Sequence, residues 1–166
     1  MHYSPILIVG GEPNSVFLEL FFKVLSKNKI KSPIILISSK KILNLQMKKL
    51  GFEREIRLLD LNKIDKYDLN NKTINLINVD FNQDKAFKKI SIKSKKFIEN
   101  SFKIAFKLIK NNSIDKFING PISKESFLNH KFLGVTEYIS NKFSTENTCM
   151  LIYNKDLSVC PITTHL

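Results

Sequence analysis

Pro5-Ile6-Leu7-Ile8-Val9-Gly10-Gly11-Glu12-Pro13 opens the chain with a continuous apolar run closed by two glycines. A run this short and apolar at every position reads as a strand buried on both faces, as a parallel sheet sandwiched between helices requires. The next residues fit that reading. Asn14 or Ser15 can cap a helix in which Phe17, Leu20, Phe21 and Val24 fall at i, i+3, i+4 and i+7 and so share one face. Glu19 and Lys23 are spaced for a favourable i,i+4 pair on another side.

The same strand-then-helix pattern recurs along the chain. Pro33 to Ile37 is a second buried-type strand, and Ser39 caps a helix carrying Leu43, Met47 and Leu50 that Gly51 ends. Strands are expected at Glu55–Leu59 and Thr73–Val79, with a polar loop, Asn62 to Asn71, between them. Ser91 to Asn112 reads as the longest helix, with Ile98, Phe102, Ala105 and Ile109 on its core stripe and Lys96, Lys103, Lys107 and Lys110 on a solvated face. Asp115 to Asn119 is then a strand stopped by Gly120-Pro121. Short helical turns follow at Ser123–Asn129 and Thr136–Lys142, and two strands, Thr148–Tyr153 and Leu157–Thr163, flank the turn Asn154-Lys155-Asp156.

Strands alternating with helices at this spacing suit right-handed crossovers, so the fold class is α/β, three-layered, with a largely parallel sheet and flanking helices. We divide the chain into a first α/β domain at residues 1–130 and the beginning of a second at 131–166. In such sheets ligands gather outside the carboxyl ends of the strands. Three loops meet that condition: Gly10 to Asn14, Asn119 to Lys124, and Thr163 onward.

Composition narrows the partners. The 166 residues carry a net charge of +12, but all of the 27 basic residues except Arg54 and Arg57 are lysines. Nucleic-acid recognition favours the planar fork of arginine, and the lysines do not interleave with aromatics as a stacking platform requires. A basic, non-catalytic binding module is therefore the weaker alternative to an enzyme. Cys149 and Cys160 do not form a CxxC pair and read as buried, reduced thiols, which fits a cytoplasmic protein. No stretch approaches membrane-spanning length, and the N-terminal apolar run is too short for a signal sequence.

Gly120 lets a backbone approach closely, Pro121 stiffens the turn, Ser123 can cap a helix, and Lys124 adds a point charge, so Gly120, Ser123 and Lys124 form a candidate phosphate or anion loop. Together, Asn119-Gly120-Pro121-Ile122-Ser123-Lys124, Gly134-Val135-Thr136-Glu137-Tyr138 and Thr163-Thr164-His165-Leu166 resemble the 4-hydroxythreonine-4-phosphate dehydrogenase family of pyridoxal phosphate (vitamin B6) biosynthesis. Gly11-Glu12-Pro13 followed by Glu19 is similar to that family's first loop.

The resemblance implies an isocitrate/isopropylmalate dehydrogenase-like fold and an NAD-dependent oxidation of a phosphorylated hydroxy amino acid, followed by decarboxylation. It also implies a divalent metal (zinc, magnesium or cobalt) to polarise the substrate oxygen. His165 matches a metal ligand and Thr136 a substrate contact; no catalytic acid or base is assigned. The family works as a homodimer with its site between subunits.

Departures also count. Val135 stands where the family has a histidine, which opens a sister substrate such as phosphothreonate or phosphoerythronate. Ser15 and Phe17 replace glycines of the first loop. The family's other metal-ligand histidines lie in a C-terminal half not found here, and neither His2, near the terminus, nor His130, in a polar turn, substitutes for them. The chain by itself is accordingly expected to be an incomplete, inactive form.

Overall fold

A computed structural model describes residues 3–111, 114–128, 131–132, 134–145 and 148–161. The chain divides into two compact units, Met1–Phe127 and Leu128–Leu166. The first is built on five parallel strands: β1 (Ile6–Val9), β2 (Ile34–Ser38), β3 (Ile56–Leu58), β4 (Ile74–Asn78) and β5 (Lys116–Asn119), in the order β3-β4-β2-β1-β5. Val9 pairs with Ile37 on one side and Asn119 on the other, so the loops after β1, β2 and β5 leave the sheet at one level. The α/β reading with a parallel sheet holds.

Pleating sends alternate residues to opposite faces. Ile8, Ile34, Leu36, Ile74 and Leu76 share a core with Leu18, Phe21, Phe22 and Leu25 of helix α1 (Phe17–Lys27) and with Ile42, Leu43 and Met47 of α2 (Lys40–Leu50). Leu7, Val9, Ile35 and Ile37 point the other way. On that side α3 (Lys95–Asn111) buries Phe97, Ile98, Phe102 and Ala105 and packs against β1 and β2. Phe117 of β5 belongs to this face too, its ring 6.1 Å from Phe102. Burying one such side chain contributes about 1.5–3 kcal/mol, so the sheet's central strands carry most of the unit's stability.

Local sequence accounts for much of this. The Ser39 hydroxyl accepts from the Ile42 N–H, and Gly51 ends α2 in the left-handed conformation at φ 63°. Asn71 fastens the approach to β2: its carbonyl accepts from Ile34 N (2.8 Å) while its amide donates to Ile30 O and Ser32 O.

The structure corrects several expectations. The buried face of α1 is Leu18-Phe21-Phe22-Leu25, not Phe17-Leu20-Phe21-Val24; Leu20 is 53% and Val24 44% exposed. Both sets have helical spacing and share Phe21. What decides between them is the Phe22 ring stacked on Phe52, the residue after Gly51, at 4.6 Å. Neither Asn14 nor Ser15 is the residue that starts α1; Val16 is, without a side-chain cap. The Ser15 hydroxyl accepts from the Phe17 N–H at 3.3 Å, and Asn14 is engaged elsewhere. The 62–71 loop includes a 3₁₀ segment, Leu61–Lys66, anchored by buried Ile64, and a 3₁₀ turn, Ile92–Ser94, precedes α3.

The second unit contains α4 (Val135–Phe143), where a helical turn was expected. In place of the two expected strands, residues 148–161 form a hairpin with one antiparallel bridge, Ile152 to Val159. Strand-type residues need partners on both edges, and among the described residues this segment has only itself. Cys149 and Cys160 are not buried thiols: both are exposed and bonded to each other, their Cα atoms 6.9 Å apart, closing the hairpin. No helix among the described residues is long and apolar enough to cross a membrane.

Candidate active site

At the carboxyl edge of the sheet, the loops after β1 and β5 interlock. The Gly120 N–H donates to Val9 O at 2.7 Å and the Glu12 N–H to Pro121 O at 2.8 Å. Gly11 has φ +69°, and a Cβ there would run into the carbonyls of Gly120 and Pro121. A Cβ on Gly120 would in turn meet the Gly10 carbonyl and come within 3.1 Å of the Phe17 ring. The two glycines thus permit close passage of one loop over the other. Gly120 was expected to admit a ligand; the close approach it allows here is that of the chain itself. Phe17, at a position where the family pattern has glycine, closes the flank.

Glu12 lies at this junction and is only 2% exposed. One carboxylate oxygen accepts from the Ser94 hydroxyl at 2.6 Å; the other is buried without a partner among the described residues. Two further ties bind the same loop to the segment before α3. Asn14 and Gln83 exchange amide hydrogen bonds, and Gln46, fully buried on α2, donates to both Pro13 O and Ala86 O. Residues 12–14 are therefore held on three sides, which fixes the β1 loop before any ligand arrives. Farther along the segment, Lys88 pairs with Asp84 and its ammonium holds that exposed carboxyl below the usual range.

Of the expected site residues, Ser123 is half-buried and its carbonyl accepts from Phe127 N; Lys124 is exposed at the start of a single π-helical turn, Lys124–Leu128. One turn adds up little helix dipole, so an anion here would depend on the Lys124 charge and on loop N–H groups. Thr136 is exposed in the first turn of α4, next to Val135, and belongs to the second unit. His165 and the loop from Thr163 onward lie outside the described residues, as do His2 and His130. The structure thus joins two of the three expected loops. Among the described residues no three histidine, cysteine or acidic side chains come together to hold a metal. Sequence reading passed over Gln46 and Ser94. Gln46 did leave a signal, being polar within the Ile42-Leu43-Met47 stripe, whereas nothing local marks Ser94.

The family model of the pyridoxal phosphate biosynthetic protein PdxA matches residues 29–166. No curated protein matches the sequence. Among solved structures, a 4-hydroxythreonine-4-phosphate dehydrogenase from Burkholderia phymatum superposes with a TM-score of 0.85 at 24% identity, over 100% of this chain and 51% of that one. A putative 4-hydroxythreonine-4-phosphate dehydrogenase from Salmonella typhimurium gives 0.80 at 19% identity, over 95% of this chain and 50% of that one. The Klebsiella pneumoniae 4-hydroxythreonine-4-phosphate dehydrogenase gives 0.80 at 20%, with the same coverage. At such identities these likenesses speak for the fold. This chain spans about half the length of the structures it matches.

Proposed function

This chain belongs to the PdxA family of pyridoxal phosphate biosynthetic proteins, and on that premise we propose that it supplies part of a dehydrogenase acting on 4-phosphohydroxy-L-threonine. In this reading the secondary alcohol is oxidised and the resulting β-keto acid loses its carboxyl group as carbon dioxide. NAD supplies the hydride acceptor when bound, and a divalent metal (zinc, magnesium or cobalt) the Lewis acid. Lys124, with Gly120 and Ser123, attracts the substrate phosphate, Thr136 contacts the substrate, and His165 is one metal ligand. The described residues do not form a metal centre by themselves, and in this reading the remaining ligands come from polypeptide equivalent to the other half of the matched structures.

The observation that supports this most is the junction of the β1 and β5 loops at the carboxyl edge of a parallel sheet, in a chain matched by the family over residues 29–166. The enzyme is proposed to act in the cytoplasm, as a homodimer when full length. The Cys149–Cys160 bond removes reduced thiols as a ground for that compartment.

The 166-residue chain alone is expected to give no NADH from 4-phosphohydroxy-L-threonine, NAD and divalent metal, and to do so once joined to the other half of the family's length. Steady NADH formation by the chain alone would contradict the division of the site. Silence from the joined form would overturn the activity. Val135, where the resemblance leads one to expect histidine, favours a second substrate reading: turnover of phosphothreonate or phosphoerythronate in preference to 4-phosphohydroxy-L-threonine would select it.

A further inference from the structure

A second feature of the carboxyl edge lies outside the interlocked loops. Between the end of β4 and the start of α3 runs a cleft of about 680 Å³, a size suited to small ligands. Its wall carries Lys88, Lys89, Lys93 and Lys96 against a single carboxylate, Asp80. Asp80 is already engaged, accepting from the Asn78 amide at 2.8 Å. Of the four ammonium groups only Lys88 has an ion pair among the described residues, the one with Asp84. Lys89, Lys93 and Lys96 are left to act on whatever enters.

Two observations separate this cleft from a patch of solvated lysines. The first is charge placed against the helix. The first turn of α3 has no acidic residue, and Lys93, Lys95 and Lys96 crowd a terminus whose free N–H groups already make it positive. Lys103 and Lys107, farther along α3, stand away from this terminus and line no part of this cleft; Lys107 borders a separate, smaller one of about 190 Å³ that also carries Asp65. Clustering three cations at this end works against folding, and the buried Glu12 carboxylate on Ser94 offsets only one of those charges. The second is a rim set in place beforehand. Asn14 and Gln83 hold each other at 2.9 and 3.1 Å, the Lys88 N–H donates to Asn14 at 2.9 Å, and Gln83 also donates to Lys85 O. The Phe81 and Phe97 rings, 5.2 Å apart, back the cleft and lower the local dielectric, strengthening any charge contact made there.

We propose that this cleft binds a small ligand bearing two or more phosphate groups, held by Lys89, Lys93 and Lys96. Several ammonium groups on one wall match several oxyanions better than one, and each contact becomes a charge-assisted hydrogen bond. The site is separate from the Gly120–Lys124 loop and stands or falls independently of the dehydrogenase reading.

Calorimetric titration of the full chain with inorganic pyrophosphate tests it. One saturable site is expected, weakened about tenfold or more by the double change Lys93→Ala and Lys96→Ala, the equivalent of at least one decade in Kd. The pair Lys103→Ala and Lys107→Ala removes the same amount of charge farther along α3 and should change affinity less than about twofold. Thermal melting of both variants shows that each is folded. Equal losses in the two variants would mean diffuse attraction to a basic protein and would overturn the site, as would the absence of saturation. Inorganic phosphate binding as tightly as pyrophosphate would overturn the assignment to ligands with more than one phosphate.

Discussion

Glu12 is the residue whose state says most about the site. Its carboxylate is buried with one hydrogen bond, from Ser94, and one oxygen without a partner. Burying a charge with so few partners is costly. The positive start of α3 beside Ser94 offsets part of that cost, so Glu12→Gln, whose amide carbonyl still accepts from Ser94, should change stability by no more than about 1 kcal/mol. Glu12→Ala should cost about 1.5–3 kcal/mol, the worth of a hydrogen bond to a charged group. Urea denaturation of the two variants measures both. A glutamine variant as damaged as the alanine variant would show that the negative charge itself is used, and that the second oxygen meets a cation.

At the scale of elements, α1 shows where sequence reading succeeds and where it stops. The helix and its Glu19–Lys23 pair (2.5 Å) were legible from spacing alone. Which of its two apolar stripes faces the core was not, because the answer depends on Phe52, a residue some thirty positions away. β1 and β2 were legible because they are apolar almost throughout, and α2 because Ser39 and Gly51 mark its ends by their own chemistry. Residues 148–161 read as strands for the same reason, yet strand pattern describes a need for neighbours that the pattern cannot supply. The meeting of the β1 and β5 loops was legible from topology, whereas the ties through Gln46 and Ser94 were set by tertiary contacts alone.

The unused stripe of α1 has a consequence. Phe22 stacks on Phe52, and Leu20 and Val24, on the opposite flank of α1, are exposed. Phe117 of β5 points to α3, so by alternation Ile118, 47% exposed, points to the α1 layer. β5 is an edge strand of the sheet among the described residues, so exposed apolar side chains of α1 and β5 accompany an open sheet edge. The isolated chain should therefore self-associate at micromolar concentration. Leu20→Lys with Val24→Glu should shift sedimentation toward the monomer without lowering the melting midpoint. A wild-type chain that stays monomeric throughout would contradict the exposure argument.

For the molecule as a whole, the parallel sheet brings two ligand-type loops together and sets a basic cleft beside them, in a family of pyridoxal phosphate biosynthetic proteins. The central proposal is that the family's phosphorylated substrate is held at the carboxyl edge of the sheet by the loop after β5. Amide hydrogen exchange tests it most directly, on the chain joined to the other half of the family's length, with and without 4-phosphohydroxy-L-threonine. The account predicts that exchange slows on ligand addition at Ser123 and Lys124 and stays unchanged along Lys103–Lys110. Substrate that binds while Ser123 and Lys124 exchange at their free rates would contradict it.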